Sequence, residues 1–292
     1  MSLMHADVLP YLRCPVCRAP FAADGDGAAR TLRCPTGHSF DVARQGHVDL
    51  VTGRVGYAGD SAAMVAARDD FLRRGHFAVV GAGLTHAARE HLPPARPFVV
   101  DAGAGTGAYL ATVLDVLPGS TGLAMDISKA AVRRAARAHP AAAAVRCDTW
   151  RPLPVADGSA GLVLNVFAPR NGAEFARILH PQGALIVVAP LPEHLGELVS
   201  ALRLLTVDPA KQDRIGATLG GHFVEVSRRT LRQRLRLTHD DVAASVRMGP
   251  SSWHADPQAL ATSIAALPEP VTVTVAVRLA VYRPHWADPA DS

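Results

Sequence analysis

Lysine is nearly absent from this chain: across 292 residues it occurs only at Lys129 and Lys211, so almost the whole positive balance is arginine. The formal net charge of +4 suits a polyanionic partner but is common in proteins that never meet one. Genomic base composition produces such a bias as readily as a need for planar, bidentate phosphate contacts, so charge excludes little. Long apolar runs are missing too. Stretches such as Ala184-Leu-Ile-Val-Val-Ala189 fall far short of the roughly 18 residues that span a bilayer. The first residues also lack the apolar centre of a signal peptide, and the expectation is a cytoplasmic chain with no membrane partner. Cysteine is scarce as well: three of the four lie at Cys14, Cys17 and Cys34, and Cys147 stands alone, which excludes a disulfide framework.

What is present begins with those three cysteines. Cys14-Pro-Val-Cys17 is followed by Cys34-Pro-Thr-Gly-His38, a pair of tight turns offering three thiolates and one imidazole. In tetrahedral zinc sites thiolates bind at about 2.3 Å and imidazoles at about 2.0 Å, and a set of four closes the shell, so the metal expected at Cys14, Cys17, Cys34 and His38 is structural. The competing reading is unrelated thiols beside a chance histidine. Residues 9 to 50 are short apolar pieces broken by Pro, Gly and Asp, with a turn at Asp24-Gly-Asp-Gly27. A segment of about 40 residues cannot build a sufficient core and needs a staple, which is the physical reason to expect metal here. His47 has the wrong spacing for a ligand and reads as a surface or packing residue.

The remainder divides into a glycine-rich linker and connecting helix over 51–75 and a large domain over 76–292. Asp60 or Ser61 caps an amphipathic helix carrying Met64, Val65, Phe71 and Leu72, which stops at Gly75. Strands are expected at 97–102, 121–125, 143–147, 160–167 and 183–189, with a later pair near 230–238 and 271–282. Crossover helices are expected at 129–138 and 172–180, and helix at 191–220 as a lid or substrate-facing insertion. The first five strands are almost continuously Val, Leu, Ile and Ala, the pattern of strands covered on both faces. That is an α/β, doubly wound, Rossmann-like domain joined to a small N-terminal zinc-binding domain.

At the end of the first of these strands stands Asp101-Ala-Gly103-Ala-Gly105-Thr106-Gly107, where backbone without Cβ atoms can approach a ligand just before a helix. Gly103, Gly105 and Ala108 also satisfy the dinucleotide pattern, so a nicotinamide or flavin enzyme competes. Two features favour S-adenosylmethionine: Asp101 lies where it can meet the cationic methionine end, and Asp148, ending the third strand, can hold an adenine amino group. Asp126, ending the second, takes ribose hydroxyls under either reading; the plain alternatives are a helix cap at Asp126 and a turn residue at Asp148. The fourth strand ends in Leu164-Asn165-Val-Phe167-Ala-Pro169-Arg170-Asn171, a polar residue, an aromatic and a stiff turn where cofactor and substrate meet. Arg228, Arg229, Arg232, Arg234 and Arg236 form a basic run, either a phosphate-tracking stripe or a solvated strand face. Trp253 is either a core residue, the commoner fate of a lone Trp, or a platform for stacking on a base.

Taken together, these motifs resemble the RlmA-type 23S rRNA guanine-N1 methyltransferases, Gram-positive branch. The likeness rests on the two Cys/His turns, on Phe40-Asp-Val-Ala-Arg-Gln-Gly46, Gly59-Asp-Ser61, Gly75-His76, the glycine loop, Leu164 to Asn171, His194-Leu195 and Met248-Gly-Pro-Ser-Ser-Trp253. The resemblance implies class I methyl transfer from S-adenosylmethionine to N1 of a guanine in a 23S rRNA hairpin lining the peptide exit tunnel, with a contribution to resistance against macrolides such as tylosin. It implies that Phe77, Gly105, Thr106, Asp126 and His194 hold the cofactor, Phe77 standing where relatives often carry Tyr. A paired base hides N1, so the guanine must be unpaired or extruded. The expectation is that Asn165, Phe167 and Pro169 position it, while the zinc module grips the hairpin. A homodimer is left open. Alternatives are a small-molecule S-adenosylmethionine-dependent methyltransferase, an NAD-binding oxidoreductase and a non-catalytic RNA-binding protein.

Overall fold

Strands that are apolar on both faces must be covered on both, and the computed structural model, which describes residues 6–22, 30–56, 59–93, 95, 97–205, 218–249 and 256–285, shows what covers them. The N-terminal part carries a short 3-10 helix (Ala6–Tyr11) and the strands β1 (Thr31–Arg33), β2 (Ser39–Asp41) and β3 (His47–Asp49). Then come α1 (Ala62–Arg73), α2 (Ala78–His91), β4 (Phe98–Ala102), α3 (Ala108–Leu114), β5 (Thr121–Asp126), α4 (Lys129–Ala135) and β6 (Ala142–Arg146). Next are β7 (Ala160–Val166), α5 (Gly172–Ile178), β8 (Leu179–Pro190), α6 (Gly196–Leu202), β9 (Phe223–Leu237), α7 (His239–Arg247), α8 (Pro257–Ala265) and β10 (Val271–Pro284).

Eight strands make one sheet in the order β3-β6-β5-β4-β7-β8-β10-β9. All pairings from β3 through β8 are parallel, while β10 lies antiparallel between β8 and β9. The expected α/β class is therefore observed. The crossover helices are shorter than their apolar patterns suggest, since Leu179 already belongs to β8 and α4 stops at Ala135. Of the helix expected over 191–220, the described residues show α6, entered through Leu195 at φ 53°; residues 206–217 lie outside them. Ser61 caps α1, its hydroxyl accepting from the Met64 amide at 3.2 Å.

One face of the sheet is covered by α1, α2, α3 and α7, through Phe71, Val80, Leu84, Leu110 and Val242. The other is covered by α5 and by the described residues of the first fifty. Val8, Leu9, Leu12, Phe21, Leu32, Val48 and Leu50 share one buried cluster with Phe98, Val100, Leu123, Met125 and Val145. Tyr11 stacks on Phe98, ring centroids 4.1 Å apart. His47, with 2% of its surface exposed, sits in β3 as part of the edge strand. The small N-terminal segment thus meets its need for a core by borrowing the sheet's, at roughly 1.5–3 kcal/mol for each large apolar side chain buried.

Candidate cofactor and substrate site

The two Cys/His turns meet. The ligand atoms of Cys14, Cys17, Cys34 and His38 all lie within 4.8 Å of one another. Cys34 Sγ is 3.4 Å from His38 Nδ1, Cys17 Sγ is 3.6 Å from Cys34 Sγ, and Cys14 Sγ is 3.7 Å from His38 Nδ1. Bonds of about 2.3 Å to a tetrahedral centre place neighbouring ligands about 3.7 Å apart, so the donor set fits Zn2+. Thr36 Oγ1 donates to Cys17 Sγ at 2.9 Å. Burial raises the Cys34 thiol, but the Thr36 and His38 hydrogen bonds outweigh it and bring it down to about 6. Gly37 turns the second knuckle at φ 90°. The module is clamped to the large domain along 153–156. Arg18 donates to the carbonyls of Leu153 and Val155, the Arg13 amide to Pro154 at 3.0 Å, and the Ala156 amide to Tyr11 at 2.8 Å.

The glycine loop leaves the carboxyl end of β4 and is held by β5, the Gly103 and Ala104 amides both donating to the Met125 carbonyl. Gly103, Gly105 and Gly107 all have left-handed backbones, with φ of 85°, 55° and 78°. A Cβ on Gly103 would stand 2.4 Å from the Cβ of Ala168, and one on Gly107 2.9 Å from the Cα of Ala135. These two glycines thus let the loop pack between the β7 turn and α4. Asp126 accepts from the Gly105 amide at 2.9 Å and from the Ser128 amide at 2.8 Å, bridging the loop to the cap of α4.

Four buried polar atoms around this loop have no hydrogen-bond partner among the described residues: Asp101 Oδ1, Thr106 Oγ1, Tyr109 OH and Asn165 Oδ1. Buried polar groups are rarely left unpaired, and such a cluster marks a place for a polar ligand. Burial, and secondarily the Asp126 charge, push the Asp101 carboxyl up to about 8. A cation brought beside it would favour its ionised form.

Arg68, which the sequence did not single out, lies over the loop, its Nη1 3.4 Å from where a Gly105 Cβ would stand. It ion-pairs with Asp60 and donates to the Met248 carbonyl at 2.8 Å, tying α1 to the segment before it and to the end of α7. Asp148 accepts from the Trp150 amide at 3.0 Å and meets Arg151 at 3.5 Å, so its carboxylate braces its own turn.

At the end of β7 the Asn165 side chain is fully buried, and its amide donates to the Ala102 carbonyl at 3.1 Å and the Pro169 carbonyl at 2.8 Å. One donor is spent on the end of β4 and the other on the turn; the acceptor oxygen is left. Phe167 follows at φ 55°, an uncommon conformation for a bulky residue, with 37% of its surface exposed. Its ring stands 6.1 Å from Phe77 and 5.8 Å from His194, and those two are 5.6 Å apart, so three sequence-predicted residues form one aromatic cluster. His194 Nδ1 accepts from the Ala276 amide at 3.2 Å, and burial lowers the imidazole to about 4, keeping it neutral. Phe77 is set by Phe71, edge-on at 5.1 Å, and by the preceding residues: His76 and Arg74 both hold the buried carboxylate of Asp241.

The basic run lies along β9, with Arg232, Arg234 and Arg236 exposed. Arg232 is paired with Glu193, Arg228 with Glu225 and Arg229 with Glu90, which removes part of its charge from play. Trp253 lies outside the described residues.

Comparison with known proteins locates these two centres in families. A profile described as "RlmA, N-terminal" matches residues 12–52, and one described as "Methyltransferase domain" matches 100–187. A protein of Micromonospora griseorubida named for 23S rRNA (guanine-N1) methylation is 54% identical over 96% of this chain and all of its own length. A Streptomyces fradiae protein named 23S rRNA (guanine(748)-N(1))-methyltransferase is 49% identical, covering 96% of this chain and 99% of its own. Among solved structures, a chain from the complex of the Haloferax volcanii Trm112 methyltransferase activator with a methyltransferase covers 79% of this chain and all of its own length. Its TM-score is 0.50 at 17% identity, a likeness of fold alone.

Proposed function

The chain belongs to the RlmA-type 23S rRNA (guanine-N1)-methyltransferases, and from that membership we propose how its site performs the transfer. It is an S-adenosylmethionine-dependent enzyme that methylates N1 of a guanine in a 23S rRNA hairpin near the peptide exit tunnel. The Streptomyces fradiae relative is named for position 748, and the same guanine is the substrate proposed here. A methyl group there would lie in the path of macrolides, so a contribution to resistance against tylosin-type compounds follows. An enzyme acting on ribosomal RNA works in the cytoplasm, and no helix among the described residues is long and apolar enough to cross a membrane.

When bound, S-adenosylmethionine supplies a methyl group on a cationic sulfur. Gly103 to Gly107 carry its methionine end, with Asp101 as counter-charge and Thr106 as hydroxyl donor or acceptor. In this reading Asp126 takes the ribose hydroxyls and the Asp148 carboxylate takes the adenine amino group. Phe77 and His194 wall the pocket with apolar and neutral surface, and a neutral His194 adds no charge to repel a sulfonium. Asn165 positions the 167–169 turn through its bond to the Pro169 carbonyl, and the backbone of that turn is what meets the guanine edge in this reading. Phe167 offers its exposed ring to the base face. Cys14, Cys17, Cys34 and His38 would hold Zn2+ as a structural ion that fixes the two turns of the module, while Tyr11, Arg13 and Arg18 clamp that module to segment 153–156.

The observation that supports this reading best is that relatives named for 23S rRNA (guanine-N1) methylation match 96% of this chain, zinc ribbon and methyltransferase domain together. Mass mapping of 23S rRNA from cells with and without the gene tests it. One added methyl on the hairpin guanine, present only with the gene, is expected. An unchanged fragment, or a methyl group on another base, overturns the assignment.

A further inference from the structure

We propose that Trp150 is a stacking platform for a nucleobase of the rRNA hairpin that flanks the target guanine, an inference resting on the methyltransferase reading above. Trp150 has 56% of its surface exposed. Large apolar side chains left this open are few among the described residues, and the aromatic ones are Trp150 and Phe167. Both follow the carboxyl ends of parallel strands, β6 and β7, on the side of the sheet where the glycine loop lies.

The backbone that carries Trp150 is pinned. Its amide donates to Asp148 Oδ1 at 3.0 Å, and the Arg151 amide donates to the Asp148 carbonyl at 3.1 Å. Asn171, at the far end of the β7 turn, donates to the Thr149 carbonyl at 3.1 Å, so the Trp150 turn and the guanine-positioning turn are directly joined. On the other side the zinc module docks on 153–156, and Arg151 reaches the Arg54 carbonyl in the segment that leaves that module. Residue 150 therefore stands at the seam between the zinc module, which in this reading grips the hairpin, and the domain that modifies one base. An RNA strand passing from one to the other crosses it.

The surroundings suit that occupant. Arg151, next in the chain, and Arg54, whose carbonyl Arg151 meets, are both exposed, so cationic side chains are at hand for a phosphate backbone. An aromatic face presented on a rigid turn and flanked by arginine is the arrangement by which proteins hold unpaired bases without reading their identity. A rival role for the same indole is packing against the cofactor's adenine, since Asp148 lies two residues away; the test separates the two.

Full-length protein, Trp150→Ala and Trp150→Phe are titrated with a synthetic hairpin containing the target guanine and carrying 2-aminopurine beside it. Binding of S-adenosylhomocysteine is measured in parallel. The expected result is hairpin affinity about ten- to a hundredfold weaker in Trp150→Ala, with most of it restored in Trp150→Phe. Cofactor affinity and the slope of affinity against salt should be unchanged. The 2-aminopurine fluorescence should be quenched by the wild type and not by the alanine variant. Wild-type hairpin affinity in Trp150→Ala, or a parallel loss of S-adenosylhomocysteine binding, overturns the proposal while leaving the methyltransferase reading intact. A wild-type protein that binds the cofactor but does not methylate the hairpin overturns that reading, and this inference with it.

Discussion

Replacing Gly103 by alanine should disrupt the cofactor loop and the substrate turn at once, because the two touch at this residue. The perturbation has two parts that can be separated. Gly103 has φ 85°, where an L side chain costs about 1–2 kcal/mol. The new Cβ would also stand 2.4 Å from the Cβ of Ala168, which no real pair of carbons tolerates. Overpacking of that kind typically costs about 1–3 kcal/mol as neighbours shift, so the total is about 2–5 kcal/mol. Gly119 supplies the reference: its φ is 80° but nothing lies within 4 Å of its missing Cβ, so Gly119→Ala carries the backbone cost alone. Denaturant melts should show Gly103→Ala less stable than Gly119→Ala by the overpacking part. Since Ala168 sits between Phe167 and Pro169, methylation should fall further than stability explains. Adding Ala168→Gly removes the opposing carbon and should recover the difference, the signature of direct coupling in a double-mutant cycle. Equal losses in the two glycine variants, or no recovery in the double variant, would refute the reasoning.

Asn165→Ala should abolish or severely reduce transfer while S-adenosylhomocysteine binding changes little, since two buried hydrogen bonds that shape the 165–169 turn are lost; normal turnover would sink its positioning role. Deleting residues 1 to 50 should leave a chain that no longer melts cooperatively, because it uncovers Phe98, Val100, Leu123 and Met125; a soluble truncation with native cofactor affinity would contradict this. Burial raises the Asp101 carboxyl to about 8, well above its unfolded value of about 4, so its favourable effect on folding is complete below pH 4 and lost as pH rises to 8. Melts of ligand-free Asp101→Asn across that range should therefore gain on the wild type with rising pH, and a constant difference would refute the assignment. Asp241 behaves oppositely: burial raises it, but His76, Thr238 and Arg74 outweigh burial and hold it far below the usual range. Its contribution is present above about pH 4 and lost below, so Asp241→Asn should cost stability at neutral pH and progressively less in acid.

The metal ligands were legible because each pair is separated by two or three residues, a spacing that a single tight turn resolves. The parallel core was legible for a similar local reason: strands covered on both faces carry apolar residues at successive positions, as Phe98–Ala102 and Ala160–Val166 do. Arg68 was not legible. An arginine in Ala66-Ala-Arg-Asp-Asp70 looks like one solvated helix residue among several, and only its contacts with Asp60 and Met248 set it over the loop. Nor was the way the N-terminal segment is covered. β3 is three residues long, too short to announce itself, and it pairs with residues 144–146, almost a hundred positions away.

By itself the sequence determined the chemistry available: a closed Cys3His set, a three-glycine loop behind a buried acidic strand end, and a polar, aromatic and proline-stiffened turn after β7. Each is set by near neighbours in the chain, where bond geometry and backbone freedom leave few arrangements. Tertiary structure alone decided what those pieces face. It spent the Asn165 donors on Ala102 and Pro169, gathered Phe77, Phe167 and His194 into one wall, and laid the zinc module on the sheet as a covering layer. Such pairings are chosen by which buried surfaces and polar groups across the whole chain can be satisfied together, a competition that no local spacing records.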